Sequence, residues 1–378
     1  MKYHIATRPL SRLPALAALA GAVLAGAPAH AQYAQTNLVS NIPGLAAFTD
    51  PDLQNPWGMS FSNASPFWVS DNGTGLSTLY NGLGVKQALV VHIPLPTGAP
   101  SAPTGQVFNS AGAFSLGNGS NATFLFATED GTIAGWNGAA GTTALTMVNN
   151  MQVASYKGLA ISGTGPTARL YAANFRAGTV DVWDGTFAPV TGGFMDPTIP
   201  TGYAPFNVQN VGGNIVVTYA VVDPLTGDDV SGAGNGIVDV YDANGVLLRR
   251  LSSGGALNSP WGVALAPSGF GPFGNALLVG NFGDGTINAF DFFSGAMLGT
   301  LTDGSGNPIV NDGLWAIAFG NHNALADPNA LYLTAGLNDE ADGLFARIVA
   351  TPEPGSLLLM ATGLGVVLVG GRRRQARM

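Results

Sequence analysis

The stretch Gly178-Thr-Val-Asp-Val-Trp183-Asp184 carries a pattern that the chain repeats: a glycine turn, a run of β-formers, an aromatic, then Asp or Asn. It returns as Gly236-Ile-Val-Asp-Val-Tyr241-Asp242 and Gly285-Thr-Ile-Asn-Ala-Phe290-Asp291. Earlier copies are Gly75-Leu-Ser-Thr-Leu-Tyr80-Asn81 and Gly131-Thr-Ile-Ala-Gly-Trp136-Asn137, and a worn sixth is Gly343-Leu-Phe345-Ala-Arg-Ile. Valine, isoleucine, threonine and aromatics bounded by turn residues read as a strand. The six aromatics stand 56, 47, 58, 49 and 55 residues apart, so one structural unit recurs along the chain.

A second element precedes each copy, and a third lies upstream of it in five of the six. The nearer comprises Phe67-Trp-Val-Ser-Asp71, Phe124-Leu-Phe-Ala-Thr-Glu129, Leu170-Tyr-Ala-Ala-Asn174, the run Ile215 to Asp223, Leu277-Leu-Val-Gly-Asn281 and Leu331-Tyr-Leu-Thr-Ala. The farther comprises Asn55-Pro-Trp57-Gly58, Lys157-Gly158-Leu, Pro205-Phe206-Asn, Ser259-Pro-Trp261-Gly262 and Asp312-Gly-Leu-Trp315. Three strands and a fourth in the weaker stretch that follows need roughly 40–50 residues, the period of a propeller blade. Six such units fill residues 32–351, and the pattern predicts an all-β, six-bladed β-propeller. Closing the ring without an exposed edge requires the start of the chain to complete the last blade. Tyr33 to Ser40 is strand-like, has no blade of its own, and suits that task. A β-solenoid is the alternative, although its coil period is much shorter.

The two ends read as targeting segments. Residues 1–31 carry Lys2, Arg8 and Arg12, an apolar run from Leu13 to Ala25, and Ala29-His30-Ala31, the three parts of a signal peptide cleaved after Ala31. Residues 352–378 begin with Pro352-Glu353-Pro354, continue through an apolar run at about 356–371, and end in a cluster opened by Arg372, Arg373 and Arg374. As a helix that run spans roughly 24 Å, barely enough to cross a bilayer, and the arginines hold its end on the cytoplasmic side. Seven of the 14 basic residues lie in these two ends, which leaves 7 against 21 acids between them, a net of −14. Such a domain repels nucleic acid and anionic membrane. The absence of cysteine removes disulfides, thiolate metal sites and cysteine nucleophiles.

Few residues suggest chemistry. Trp57, Trp136, Trp183, Trp261 and Trp315 fall at repeat-equivalent positions, which fits packing between blades or, as the functional alternative, ring-lined sugar sites. Only His92 and His322 remain between the ends, too few for a histidine metal centre, and no hydrolase, metalloprotease or phosphate-loop motif occurs. Asn55 and Asp312 precede inner strands, whereas Glu129, Asn174 and Asn281 end the strands that follow. On one face these oxygens could ring a Ca²⁺, which takes roughly six to eight donors. The plainer reading is hairpin-closing turn chemistry. A long loop from Asp223 to Gly236 places Asp228 and Asp229 at its tip, where propellers often carry function.

The tail resembles the PEP-CTERM sorting signal through Pro352, Glu353, Pro354 and the arginine triplet, with Thr351 where Val often stands. That resemblance implies secretion, transient inner-membrane anchoring, processing by an exosortase-type enzyme, and delivery to a surface rich in extracellular polysaccharide. The strings Asn55-Pro-Trp-Gly, Asp71-Asn-Gly-Thr-Gly and Asn281-Phe-Gly-Asp-Gly-Thr-Ile resemble a family of proteins that carry this tail, with propellers similar to the NHL type. Some such propellers are calcium-dependent lactonases and others are binding modules, so the fold does not choose between them. The function expected is therefore a non-catalytic binding or structural protein of the cell surface or matrix. The alternative is a lactonase-like hydrolase with Ca²⁺ in the central channel, held by Asn55, Glu129, Asn174, Asn281 and Asp312.

Overall fold

The computed structural model describes residues 32–351, and in it the repeat forms six antiparallel sheets, each begun by an inner strand. The inner strands are Pro56–Ser60, Pro103–Phe108, Tyr156–Ser162, Tyr203–Val211, Pro260–Leu265 and Leu314–Phe319. The first five blades are completed in chain order by three further strands, the outermost as short as Val91–His92 and Pro189–Val190. In the sixth, Ala330–Leu337 and Asp342–Ala350 are followed by Tyr33–Ser40, paired antiparallel from Tyr33 opposite Ala350 to Ser40 opposite Leu344. The start of the chain thus closes the ring, as its isolated strand pattern predicts. A two-residue strand, Phe48–Thr49, lies parallel outside it.

One strand was not legible. Pro103-Thr-Gly105 opens the second blade but lacks the aromatic that marks Trp57-Gly58 and Trp261-Gly262, so nothing in its residue types announces it. The signal segment 1–31 and the tail 352–378, with its cleavage and sorting residues, lie outside the described residues. Among the described residues no helix is long and apolar enough to cross a membrane.

Every inner strand is bulged near its start. The pairing register slips between Pro56 and Met59, Pro103 and Gln106, Tyr156 and Leu159, Pro205 and Asn207, Pro260 and Gly262, and Leu314 and Ile317. A bulge re-aims the residue within it, and here it turns side chains into the channel. Trp57 stacks on Trp315 at 3.5 Å between ring centroids, Trp261 meets both edge-on, and Phe206 reaches Trp315 at 5.9 Å. These four aromatics come from four different blades and plug the axis.

The residue after the bulged one sets how closely the blades approach. A Cβ on Gly58 would fall on the Thr104 carbonyl, and one on Gly105 would sit 2.6 Å from the Gly158 carbonyl carbon. One on Gly158 would meet Asn207, and one on Gly262 would stand 2.6 Å from the Trp315 carbonyl oxygen. Farther out, side chains fill the wedges between blades: Trp68, Leu79, Phe124, Phe126 and Trp136 form one such cluster. The repeat aromatics Tyr80, Trp136, Trp183, Tyr241, Phe290 and Phe345 are all buried.

Gly105→Ala is expected to cost about 1–3 kcal/mol, because the clash is with backbone that cannot rotate away. Gly138→Ala, whose Cβ meets nothing within 4 Å, is the matched control and should stay within about 0.5 kcal/mol of the parent. Urea melts of the two variants beside the parent check the difference.

Candidate functional site

The inner strands all begin at one end of the ring, the upper end. Pro56 pairs with Asp71, Tyr156 with Asn174 and Pro260 with Asn281, so the second strands finish on that same face. The five residues singled out as oxygen ligands therefore share the upper end.

At the centre stands a residue whose role the sequence reading missed. Lys157 occupies the bulge position that Trp57 and Trp261 hold in their blades, and it is 5% exposed. Its ammonium lies 5.0 Å from the Trp57 ring centroid and 5.8 Å from that of Phe175, and it is paired with Glu129. A buried ammonium is tolerated only when paired, and aromatic faces add a further attraction. From Glu129 a chain of hydrogen bonds crosses the mouth. Asn72 Nδ2 donates to Glu129 Oε2 at 2.9 Å, and Asn55 Nδ2 donates to Asn72 Oδ1 at 3.3 Å and to Glu340 Oε2 at 2.6 Å. From below, Trp315 Nε1 donates to Asn55 Oδ1 at 3.1 Å, tying the polar layer to the aromatic plug.

The backbone is strained to deliver these groups. Asn55 and Ser259, both followed by proline, hold φ of 44° and 43°, where a residue before proline is disfavoured. In the last hairpin Asn338, Asp339 and Glu340 are left-handed in succession, with φ of 56°, 53° and 65°. Each such non-glycine residue costs roughly 1–2 kcal/mol, and here three of them bring Glu340 to Asn55. Burial pushes the Glu340 carboxyl above its ordinary value; the Asn55 hydrogen bond opposes this and the nearby Glu129 charge adds to it. Burial likewise raises Asp229, with Ser259 and the Lys157 ammonium holding it back.

Beside this network lies a pocket of about 270 Å³ lined by Ser231, Phe282, Gly283, Asp312, Asp339 and Glu340. Ser231 arrives on the long loop from Asp223 to Gly236, which is pinned over the mouth by Gly232 N donating to Asn258 Oδ1 at 2.6 Å. A cavity of about 390 Å³ sits instead at the outer edge of the third blade among Val180, Val182, Trp183 and Phe194, apart from these groups.

Asn55 and Glu129 are thus joined through Asn72, and Asp312 shares a pocket wall with Glu340. Asn174 and Asn281 serve turns instead. Asn174 Oδ1 accepts from Ser155 N and Ala177 N at 3.2 Å each, and Asn281 Oδ1 accepts from Asn258 N at 3.1 Å. Those oxygens are engaged by backbone amides, and Glu129 is held by Lys157. Among the described residues no group of three or more His, Asp or Glu is placed to hold a metal ion. All six tryptophans are buried and serve as packing. Lys157 could have been recognised as a lysine standing before the inner glycine where other blades carry tryptophan. Glu340 could not, because no glycine in Asn338-Asp-Glu-Ala341 announces the left-handed turn.

No family model matches the chain. Protein R648 of Acanthamoeba polyphaga mimivirus is 35% identical over 328 residues, which cover 82% of this chain and 78% of that protein. Protein L690 of the same virus is 35% identical over 327 residues, covering 82% and 84%. Among solved structures, a streptogramin B lyase superposes with a TM-score of 0.47 at 10% identity, over 84% of this chain and 98% of that one. The calcium-binding protein regucalcin of Agrobacterium tumefaciens does so at 0.43 and 12%, over 81% and 95%. At these identities the likeness is one of overall fold.

The raised carboxyl of Glu340 has a measurable sign. Its folded form binds a proton more tightly than the unfolded chain does, so its contribution to stability is complete below about pH 4.5 and is lost as pH rises through the folded value. Glu340→Gln keeps an acceptor for Asn55 without the charge. Thermal melts from pH 4 to 8 should show the parent losing stability relative to Glu340→Gln as pH rises.

Proposed function

The chain belongs to the family of the mimivirus proteins R648 and L690, and for this member we propose an exported, non-catalytic binding propeller whose upper mouth is the ligand face. The observation that carries the reading is the clasp of Lys157 on Glu129 above the tryptophan plug. It closes the channel and pairs the buried ammonium of the mouth with a carboxylate. What remains toward the pocket is a set of acceptors, the carboxylates of Asp312, Asp339 and Glu340. Together with the Ser231 hydroxyl in the same wall, these carboxyl groups suit the recognition of hydroxyl donors, which supports a binding reading. His92 and His322 are exposed and line no part of the pocket. The ligand class that fits is one rich in hydroxyl donors, such as a surface polysaccharide.

In this proposal residues 1–31 direct secretion and 352–378 act as a transient anchor, cut near Pro352-Glu353-Pro354 before the domain reaches the surface or matrix. The prolines flanking Glu353 disfavour helix, which suits that segment as a cleavage site.

Isothermal titration of the secreted protein with surface polysaccharide from its own host tests the binding. Asp312→Asn combined with Asp339→Asn should weaken it about tenfold, the equivalent of one or two lost charge-assisted hydrogen bonds. Absence of binding together with turnover of an ester or lactone would overturn the reading. The sorting half is checked separately by intact mass from the native host, where a C-terminus still at Met378 marks a permanent anchor. Glu353→Ala should leave the domain folded and trapped in the inner membrane.

A further inference from the structure

The lower end of the channel differs from the upper in having no charge. Three adjoining cavities open there, of about 270, 230 and 30 Å³, and all share Gln209 and Ala318 in their walls. None of the three has an acidic, basic or histidine side chain in its lining. The smallest is the throat, reached through the largest, with which it also shares Met59 and Gln106.

Two buried polar atoms without partners belong to residues that line this throat. Gln106 is 5% exposed; its Nε2 donates to the carbonyls of Gly58, at 3.0 Å, and Trp68, whereas its Oε1 has no donor. Turning the amide over would set Oε1 against two carbonyls, so the orientation is fixed by its partners. Trp261 is 4% exposed, and its Nε1 has no acceptor. Their strands belong to the second and fifth blades, which stand across a six-bladed ring from each other. A buried acceptor and a buried donor left unmade cost about 1–3 kcal/mol each.

We propose that this lower funnel is a second binding site, for a neutral ligand that inserts a hydroxyl group into the throat. A hydroxyl both donates and accepts through one atom, and it is small enough for a space that holds little more than a water or two. Around the wider mouth Met59, Phe61, Phe108 and Ile161 supply an apolar wall, interrupted by the amides of Gln209 and Asn210. That combination suits the C–H face and hydroxyl edge of a sugar ring or cyclic polyol. An anion or a cation would enter without a counter-charge and be excluded by desolvation. The site shares no residue with the upper mouth and does not depend on its reading.

Titration of the secreted protein with n-hexyl β-glucoside tests the assignment, followed by calorimetry and by tryptophan fluorescence. Saturable binding with a change in emission is expected, unchanged between pH 5 and 8 because no titratable group lines the site. Trp261→Phe removes the Nε1–H while keeping a ring in the plug; it should weaken binding about tenfold, one hydrogen bond, with little change in melting temperature. Gln106→Leu should act alike, and Glu340→Gln should leave binding intact. No binding at millimolar glucoside, a throat that holds water only, or an affinity indifferent to Trp261→Phe and Gln106→Leu would each overturn the proposal.

Discussion

Backbone meets backbone where the inner strands bulge, and the radius of the ring follows from that contact. Gly58, Gly105, Gly158 and Gly262 each lie against the next blade with no room for a side chain. Because the strands come this close, the bulged residues are forced together on the axis, and the channel becomes a place where tryptophans touch. A wider ring would leave those rings in water. The plug is thus a consequence of glycine spacing as much as of tryptophan content.

Given that geometry, a lysine at a bulge position has few acceptable solutions. Its charge cannot stay solvated inside an aromatic layer, and an unpaired ammonium there would cost several kcal/mol. Lys157 resolves this with one carboxylate and two ring faces. Glu129 in turn needs its other oxygen satisfied, which Asn72 provides, and Asn72 needs Asn55. The strained hairpin of the sixth blade completes the series by supplying Glu340. The polar layer reads as the settlement of a single buried charge, extended until it reaches solvent at the pocket.

How much of this was legible depends on where the information sits. The blade count, the ring closure by Tyr33–Ser40 and the burial of the repeat aromatics follow from local patterns, because a strand declares itself by alternation and a turn by glycine. The inner strand at Pro103 escaped because threonine replaced the marker aromatic. At the site, Asn174 and Asn281 have the residue types of metal ligands but spend their oxygens on neighbouring amides. Asparagine does both jobs with one chemistry, and residue type alone cannot separate them. Glu340 lies 211 residues from Glu129 in sequence and reaches the mouth only through an unusual backbone, so its place belongs to tertiary structure.

The closure of the ring also fixes how force enters it. Thr351 N donates to Gln32 O at 3.0 Å, so the two ends of the described chain leave side by side at the lower end. A load drawn through Thr351 against something gripped at the upper mouth runs lengthwise along Asp342–Ala350, between two antiparallel neighbours. The rungs to Tyr33–Ser40 and Ala330–Leu337 then share the tension in shear. The same load drawn between Thr351 and Gln32 would open the ladder one rung at a time, from Tyr33 opposite Ala350 onward. Tethered from below and loaded from above, this propeller is a mechanical link; pulled apart at its two ends, it is a zipper.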